Sequence, residues 1–319
     1  MSANNQEYAI ETKGLCKTYK GNSRQPPMEA LRDISLAIPR GSFFGLLGPN
    51  GAGKSTFINV LAGLVNKTAG EARICGHDIV TGMRAARRAI GVVPQELSID
   101  PFFTPRELLE VQAGLYGVPK SKRRSDEILD LVELGDKANA YTRTLSGGMR
   151  RRLLVAKAMV HSPEVLVLDE PTAGVDIDLR RRLWVAVNEL NARGTTILLT
   201  THYLEEAQAM CDRVAIIDEG NLIACETTEA LLQRIDSKEM TVTVDADIGE
   251  IPPQLDRFSP KLVDGRSLVF RYPPSKTNSG EILSALTQAG LTITDLNTRE
   301  AELEDIFLRL THRETAGEK

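Results

Sequence analysis

A glycine-rich segment constrains the fold of this 319-residue chain more than any other feature. Residues 48–55 read Gly-Pro-Asn-Gly-Ala-Gly-Lys-Ser, which matches the pattern GxxxxGK followed by Ser or Thr. The apolar run 43–47 precedes the segment, and a helical pattern over 56–64 follows it. Glycines allow backbone N–H groups to turn inward around an anion, and the helix N-terminus adds partial positive charge. The sequence therefore predicts a phosphate-binding strand–loop–helix unit, with Lys54 on the β- and γ-phosphates of a nucleotide and Ser55 on Mg²⁺.

A pair of carboxylates follows a second apolar run. Residues 165–168 are Val-Leu-Val-Leu, and Asp169 and Glu170 come directly after them. A carboxylate at the carboxyl end of a buried strand suits a Mg²⁺ ligand, which we assign to Asp169. The next carboxylate, Glu170, is suited to orienting or deprotonating an attacking water. The alternative is that the two acids are ordinary polar residues in the turn after a strand. The phosphate-binding lysine earlier in the chain argues against this alternative.

Apolar runs alternate with helical patterns through the first 236 residues, which is typical of a mostly parallel sheet with crossover helices. Short continuous runs, as expected of strands buried on both faces, occupy 43–47, 90–93, 165–168, 196–199 and 214–217. More amphipathic segments predict antiparallel edge strands at 15–19 and 31–38. A helical insertion is predicted over about 96–145, between the strands at 90–93 and 165–168.

Local signals support the insertion and a second domain. Residues 104–107, Thr-Pro-Arg-Glu, predict a capping box that opens a helix. After residue 236 the pattern changes to strands and helices of a small α+β domain, 237–319. Its last helix has an apolar face composed of Leu303, Ile306, Phe307 and Leu310. The predicted fold class is α/β, with a large domain over 1–236 and this accessory domain after it.

Composition excludes several classes of protein. The 39 basic and 43 acidic residues give a net charge of −4, whereas nucleic-acid-binding domains are usually basic. No apolar run reaches the roughly 18 residues of a membrane helix, and the amino terminus has no apolar signal segment. The four cysteines lack metal-ligand spacing and are expected to be reduced thiols. We therefore expect a cytoplasmic protein with no nucleic-acid partner.

Arginine and lysine clusters recur at 84–88, 122–124, 150–152 and 180–182. We interpret them as solvated helix faces balanced by nearby acids. The alternative is that some of them contact anionic lipid or a partner protein.

A second anion-binding pattern opens a helix predicted over 150–161. Residues 145–149 are Leu-Ser-Gly-Gly-Met, and a serine with two glycines at a helix N-terminus can bind an anion. One phosphate needs only one such cradle, so two cradles in a chain suggest that two chains share each nucleotide. With this motif, the first 236 residues resemble the nucleotide-binding subunit of an ATP-binding-cassette (ABC) transporter. Residues 42–226 match the motifs of that family in order and spacing, and the resemblance implies a P-loop NTPase cassette with an antiparallel edge subdomain.

The resemblance assigns roles to further positions. Tyr19 is similar to the aromatic residue that stacks on adenine, and Gln95 to the glutamine that touches Mg²⁺ and links the sheet to the helical insertion. Asp176 lies in a segment similar to the loop that crosses the dimer interface, and His202 resembles the histidine that contacts the γ-phosphate. The alternative for Tyr19 is an ordinary tyrosine on an edge strand, and the alternative for His202 is a histidine with a purely structural role. Because no core motif is degraded, the resemblance implies a working ATPase.

These motifs define the predicted sites. The residues assigned to catalysis are Glu170, His202, Lys54 and Gln95. The residues assigned to nucleotide binding are Tyr19, Gly48, Asn50, Gly51, Gly53, Lys54, Ser55, Thr56, Gln95, Ser146, Gly147, Gly148 and Asp176. The residues assigned to Mg²⁺ are Ser55, Gln95 and Asp169. The implied cofactors are ATP and Mg²⁺.

The end of the chain bears on the direction of transport. Residues 298–310 resemble the ending of bacterial exporter cassettes for drugs, lipid-linked glycans and nodulation factors. The resemblance implies an ATP-hydrolysing motor subunit that dimerises head to tail around two ATP and drives a separate multi-span transmembrane permease from the inner face of the cell membrane. Apolar residues at 100–103 either line a groove for a short helix of that permease or pack in the core. The alternative function is an ATP-binding regulatory protein or soluble ABC ATPase without a transport role.

Overall fold

The computed structural model describes residues 7–21, 26–173, 175, 177–234, 236–300 and 302–311. The chain divides into two compact units, Met1–Thr227 and Thr228–Lys319. No helix among these described ranges is long and apolar enough to cross a membrane.

The first unit contains ten strands and seven α-helices within the described ranges. Its strands are β1 (Tyr8–Tyr19), β2 (Met28–Pro39), β3 (Phe43–Leu47), β4 (Ala69–Ile74), β5 (His77–Asp78), β6 (Ile90–Val93), β7 (Val165–Asp169), β8 (Thr196–Thr200), β9 (Arg213–Asp218) and β10 (Asn221–Thr227). Its helices are α1 (Lys54–Leu61), α2 (Met83–Ala89), α3 (Pro105–Leu115), α4 (Ser125–Leu131), α5 (Gly147–Met159), α6 (Ile177–Ala192) and α7 (Leu204–Met210).

A six-stranded sheet in the order β10-β9-β3-β8-β7-β6 forms the centre of this unit. Strands β3 and β6 to β9 pair in parallel, and β10 pairs antiparallel with β9. All five residues of β3 and of β8 are buried, as continuous apolar runs predict. The carboxyl ends of parallel strands share one edge of a sheet, where α/β proteins bind ligands. The segments that follow β3, β6, β7 and β8 therefore meet at this edge.

The antiparallel subdomain is a separate four-stranded sheet in the order β2-β1-β4-β5. The two amphipathic segments predicted as edge strands lie within longer strands: 15–19 is the carboxyl-terminal end of β1 and 31–38 is most of β2, and the two strands pair with each other. Ile10, Leu15 and Ile34 are fully buried in the same apolar cluster as Phe44 of the parallel sheet. The predicted α/β class with an antiparallel subdomain is confirmed.

The helical insertion lies between β6 and β7 and contains α3 and α4, with α5 leading back to the sheet. Its predicted capping box is present. The Thr104 hydroxyl accepts from the Glu107 N–H at 3.3 Å, and the Glu107 carboxylate accepts from the Thr104 N–H at 2.9 Å. Pro105 occupies the first helical position, where its missing N–H costs no hydrogen bond.

The second unit is an antiparallel sheet with helices. Its elements are α8 (Thr228–Gln233), β11 (Lys238–Val244), β12 (Lys261–Leu262), β13 (Ser267–Tyr272), α9 (Ser279–Gln288), β14 (Ile293–Glu300) and α10 (Leu303–Thr311). The strand order is β12-β13-β11-β14, and the sheet contributes to an apolar cluster of its own. In α10, Leu303 and Ile306 are buried, whereas Phe307 and Leu310 are half-buried.

The division between the units falls after Thr227, whereas the sequence analysis placed the domain boundary after Asp236. Helix α8, which precedes that predicted boundary, packs against α10 of the second unit. Its six residues therefore belong with the accessory domain in the structure.

Candidate functional site

A cavity of about 680 Å³ opens at the carboxyl edge of the parallel sheet. The residues that line it are Met28, Ala30, Asn50, Gly51, Ala52, Gly53, Lys54, Ser55, Thr56, Gln95, Glu170 and His202. All four residues predicted to be catalytic are among them. The fold thus brings together side chains that lie as far apart in the chain as Asn50 and His202.

The glycines of the loop are required by close backbone packing. A Cβ on Gly48 would lie 2.1 Å from the Ile217 carbonyl oxygen, and one on Gly53 would lie 2.4 Å from the Ala30 carbonyl oxygen. Gly53 also has φ of 109° and forms the N-cap of α1. A side chain at either position would displace the loop from the sheet, so the glycines set the path along which N–H groups can face an anion.

Lys54 is the buried cation of the cavity. Its side chain belongs to the first residue of α1 and is 8% exposed, and its Nζ donates to the carbonyl oxygens of Gly48 and Pro49 at 2.7 and 3.1 Å. Burial lowers the pKa of Lys54, and the negative charges of Glu170 and Asp169 partly oppose that shift. A buried ammonium ion held by neutral carbonyls at a helix N-terminus suits the phosphates of a nucleotide.

Two of the other predicted catalytic residues, Gln95 and His202, converge on Glu170. Its Oε2 accepts from Gln95 Nε2 at 2.8 Å and lies 3.4 Å from Nδ1 of the half-exposed His202 side chain. Glu170 has φ of 47°, a left-handed conformation, and its N–H donates to the Thr200 carbonyl oxygen at 3.0 Å. One carboxylate oxygen therefore faces an amide and an imidazole from two other strand ends.

Asp169 ends β7, where the register pairs it with Thr200. Its Oδ1 accepts from the Thr200 hydroxyl at 2.5 Å, and it is not among the residues that line the cavity. The hydroxyl of Ser55, the amide of Gln95 and the carboxylate of Asp169 supply oxygen ligands, which Mg²⁺ prefers. The donor set therefore fits this cation.

Tyr19 lies next to the cavity without lining it. Its hydroxyl is 3.4 Å from the Oγ1 of Thr56, which does line the cavity. The Lys17 ammonium lies over the Tyr19 ring, 4.7 Å from the ring centroid. The structure thus places this aromatic ring beside the phosphate-binding helix.

The second predicted anion site is separate from the cavity. Ser146 is the N-cap of α5, and its hydroxyl accepts from the Met149 N–H at 3.3 Å. Ser146 and Gly147 are exposed, Gly148 is half-buried, and none of the three lines the cavity. The predicted interface residue Asp176 lies outside the described residues.

Three polar residues that the motifs did not indicate are buried, and two of them, Arg151 and Glu206, bond the segments that carry the site. Arg151 and Arg152 are 4% and 6% exposed, so interpreting 150–152 as a solvated helix face was wrong for these two residues. Both guanidinium groups donate to backbone carbonyls instead of meeting solvent. Glu206, at the start of α7, is the third. A run of three arginines in α5 does not show which of them are buried, because the direction of each side chain relative to its neighbours depends on how the helix packs.

The buried Glu206 carboxylate joins the loops on either side of the site. Its Oε2 accepts from the hydroxyls of Thr172 and Thr201 at 3.0 and 2.9 Å, and its Oε1 accepts from Trp184 Nε1 at 3.2 Å. Thr172 follows Glu170 by two residues, and Thr201 precedes His202. Glu206 therefore fixes the two segments that carry Glu170 and His202 relative to each other.

Fold and cavity together define a P-loop nucleotide-binding domain, and residues 31–173 match the family model for ABC transporters. The chain is 39% identical over 283 residues to the Nod factor export ATP-binding protein I of Burkholderia thailandensis, covering 88% of this chain and 91% of that protein. It is 40% identical to the protein of the same name from Paraburkholderia xenovorans, covering 97% and 98% of the two chains. The chain belongs to the ABC transporter family of ATP-binding subunits and is an ATPase.

Other relatives and solved structures agree. The linearmycin resistance ATP-binding protein of Bacillus subtilis is 35% identical, over 89% of this chain and 94% of its own length. A solved ATP-binding subunit of an ABC transporter has a TM-score of 0.62 and 28% identity, covering 71% of this chain and 92% of that one. A dimeric ATP-binding cassette in a post-hydrolysis state, bound to ADP and phosphate, has a TM-score of 0.61 and 27% identity, covering 69% and 98%. These proteins confirm the resemblance to exporter-type ATP-binding subunits.

Proposed function

We propose that this chain is the motor subunit of an ABC exporter, which works as a homodimer and drives a separate multi-span permease from the cytoplasmic face of the membrane. One observation carries the proposal. The Glu170 carboxylate, Gln95 and His202 meet in the cavity that contains Lys54, while the anion-binding end of α5 is exposed outside it. The chain thus has one complete half of a site and, elsewhere, the complementary half.

In this proposal the loop binds the phosphates of ATP. Gly51, Gly53 and Lys54 line the cavity. Their N–H groups bind the phosphate oxygens, and the Lys54 ammonium faces the β- and γ-phosphates. Asn50 and Thr56 complete the walls, and the Tyr19 ring beside Thr56 stacks on adenine.

Mg²⁺, when bound, would neutralise charge on the β- and γ-phosphates, and Ser55, Gln95 and Asp169 would hold it. The hydrogen bond that the Thr200 hydroxyl donates holds the Asp169 carboxylate in one orientation at the end of β7. Gln95 bonds Glu170 through its Nε2, which leaves its Oε1 as the atom able to face a cation.

Glu170 is the group that orients and deprotonates the attacking water. It lies within the cavity, and Gln95 and His202 fix its Oε2 from two sides, so its Oε1 is the oxygen available to water. His202 is half-exposed at the cavity mouth, where its other ring nitrogen can donate to the γ-phosphate. The protein's contribution is positioning, which is the main catalytic effect in phosphoryl transfer.

The exposed end of α5 completes the site of a second copy. Ser146, Gly147 and Gly148 present N–H groups and the positive end of the helix dipole to the γ-phosphate bound by the partner's loop. Asp176 contributes to the same interface. Closure of the pair therefore depends on ATP, and hydrolysis opens it.

Apolar side chains beside Gln95 form the docking surface for the permease. Leu97 is 44% exposed and Phe102 is 71% exposed, both between β6 and the helical insertion. A short amphipathic helix of the membrane subunit would cover them and sense the position of Gln95. The names of the relatives, which refer to export and drug resistance, support an exporter.

The proposal is tested by isolating the chain from its own host. An affinity-tagged chain purified from detergent-solubilised membranes is expected to recover a multi-span membrane protein. Phe102→Glu should abolish recovery and leave the ATPase activity of the isolated chain within about twofold. Val185→Glu, at another exposed apolar position, on α6, is the control and should keep the complex. Recovery of the chain without a membrane protein would contradict the transport role.

A further inference from the structure

We propose that Arg151 is a positioning residue that joins the two halves of the nucleotide site. It links the N-terminal part of α5 to the backbone that carries Gln95 and Glu170. The inference rests on the catalytic roles proposed above for Gln95 and Glu170.

The Arg151 guanidinium bonds two separate strand ends at once. One terminal nitrogen, NH1, donates to the carbonyl oxygens of Pro94 and Gln95 at 2.8 and 2.9 Å, and the other, NH2, donates to the carbonyl oxygen of Glu170 at 3.2 Å. The residue is 4% exposed. A planar guanidinium carries its donors on separate nitrogens in a fixed fork, so it can bond acceptors on two strand ends at once, whereas the three donors of an ammonium group all lie on one atom.

These bonds act on a strained backbone. Glu170 adopts φ of 47°, a conformation that is strained for a residue with a side chain and persists only when the surroundings hold it. Thr200 holds the Glu170 N–H, and Arg151 holds its carbonyl oxygen. The direction of the Glu170 side chain toward Gln95 and His202 is therefore set partly by Arg151.

Charge reinforces the arrangement. Burial lowers the pKa of Arg151, and the negative charges of Asp169 and Glu170 oppose that shift, so the guanidinium remains charged between the two carboxylates and the helix. No titration of Arg151 is involved, because arginine keeps its proton throughout the working pH range.

Helix continuity connects these bonds to the exposed anion site. Arg151 lies about one turn after Gly147 and Gly148 in the single helix α5, Gly147–Met159. A shift of the helix N-terminus when it meets a partner's nucleotide therefore moves the donor that holds Gln95 and Glu170. Arg151 thereby couples closure of the dimer to the positions of Gln95 and Glu170.

The neighbouring Arg152 provides a matched control. It is equally buried, on the same helix, and its NH1 donates to the carbonyl oxygens of Val132 and Glu133 at 2.7 and 3.1 Å. Its bonds hold the end of α4 and reach neither Gln95 nor Glu170. Arg151→Lys and Arg152→Lys thus remove comparable numbers of hydrogen bonds and differ in what those bonds position.

The experiment measures ATP turnover and ATP affinity separately on the full chain. Arg151→Lys is expected to lower turnover at least about tenfold per folded protein while the Kd for ATP stays within about threefold. Arg152→Lys should lower the melting temperature similarly and leave turnover per folded protein within about threefold. Equal effects on turnover in the two variants, or wild-type turnover in Arg151→Lys, would overturn the inference.

A double-mutant cycle separates positioning from general destabilisation. Because Arg151 acts through Gln95, the losses of turnover in Arg151→Lys and Gln95→Ala should be far from additive, whereas those of Arg152→Lys and Gln95→Ala should add. Additivity in both pairs would contradict positioning. Glu170→Gln is measured alongside: undiminished turnover in that variant defeats the proposed function, whereas its loss together with normal turnover in Arg151→Lys defeats only this inference.

Discussion

At the scale of single residues, the orientation of the Glu170 carboxylate is set by the residues around it. Its Oε2 is shared between Gln95 and His202, and its backbone is held in a left-handed conformation by Thr200 and Arg151. A carboxylate held in this way has little freedom to rotate, so it can present its remaining oxygen to water without reorganisation.

Glu170→Gln is expected to lower the rate of ATP hydrolysis at least about 100-fold while leaving ATP affinity within a few fold. Glutamine keeps the size of the side chain and the oxygen that accepts from Gln95, but it cannot take a proton. Single-turnover hydrolysis and equilibrium binding of ATP measure the two effects. Hydrolysis at more than half the wild-type rate would show that another group activates water.

Gly53→Ala should abolish ATP binding and destabilise the chain by about 3 kcal/mol or more, since the new Cβ would lie 2.4 Å from the Ala30 carbonyl oxygen. Gly51→Ala is the matched control in the same loop. Its Cβ has no neighbour within 4 Å, so it should cost only about 1 kcal/mol, the strain of a left-handed φ of 83°. Denaturant unfolding and ATP titration test the difference, and equal losses would contradict the packing argument.

At the scale of elements, helix ends differ from the sequence-based bounds for identifiable reasons. Helix α1 begins at Lys54 and not at Thr56, because Gly53 in a left-handed conformation serves as its N-cap. It ends at Leu61, since Gly63 has φ of 68°. Helix α4 ends at Leu131, two residues before Glu133, which has φ of 53°.

Thr104→Ala tests the capping box of α3. Removing the hydroxyl that accepts from the Glu107 N–H should lower the free energy of unfolding by about 1 kcal/mol. Thr144→Ala is the control, because that exposed hydroxyl bonds only the carbonyl of its own turn, and it should change stability by less than about 0.5 kcal/mol. Denaturant titration of both variants measures these changes in the free energy of unfolding. Equal losses in the two variants would show that the capping box makes no specific contribution to stability.

At the scale of the whole molecule, sharing of sites between chains can be tested by mixing two defective variants. Lys54→Ala removes the buried cation of one half-site, and Ser146→Arg fills the exposed helix N-terminus of the other. A heterodimer of the two has one intact composite site, so the mixture should recover part of the ATP-driven dimerisation and hydrolysis that each variant lacks.

Light scattering and phosphate release with ATP measure this recovery, and wild-type chain diluted to the same concentration is the reference. A mixture no more active than the sum of its parts would argue that each chain hydrolyses ATP by itself. A specific rate of ATP hydrolysis by the wild type that does not change with protein concentration would lead to the same conclusion.

Removal of the second unit should leave nucleotide binding intact. All residues that line the cavity lie in Met1–Thr227, and that unit has its own buried apolar cluster, separate in sequence from the cluster formed by residues 240–286. A chain ending at Thr227 is therefore expected to fold and to bind ATP within about threefold of the full chain, with altered dimerisation or coupling to the permease. Loss of binding in a truncated chain that keeps its circular dichroism would show that the accessory unit supports the site.

The sequence alone was sufficient to locate the phosphate loop, the strand-end carboxylates and the buried strands along the chain. These features are local: a glycine pattern needs only neighbouring residues, and continuous apolar runs are typical of strands buried on both faces. The family resemblance added Gln95 and His202 to Lys54 and Glu170, and the structure brings all four to one cavity at the carboxyl edge of the sheet.

Tertiary structure decided which polar side chains are buried and what they hold. Arg151 and Arg152 look alike in a run of three arginines, yet one bonds the strand ends of the active site and the other the end of α4. Glu206 looks like an ordinary acid near the start of α7, yet its buried carboxylate accepts hydrogen bonds from Thr201, five residues earlier, and from the more distant Thr172 and Trp184. The direction of a side chain on a helix depends on the elements packed against it, and that long-range information is not present in local sequence patterns.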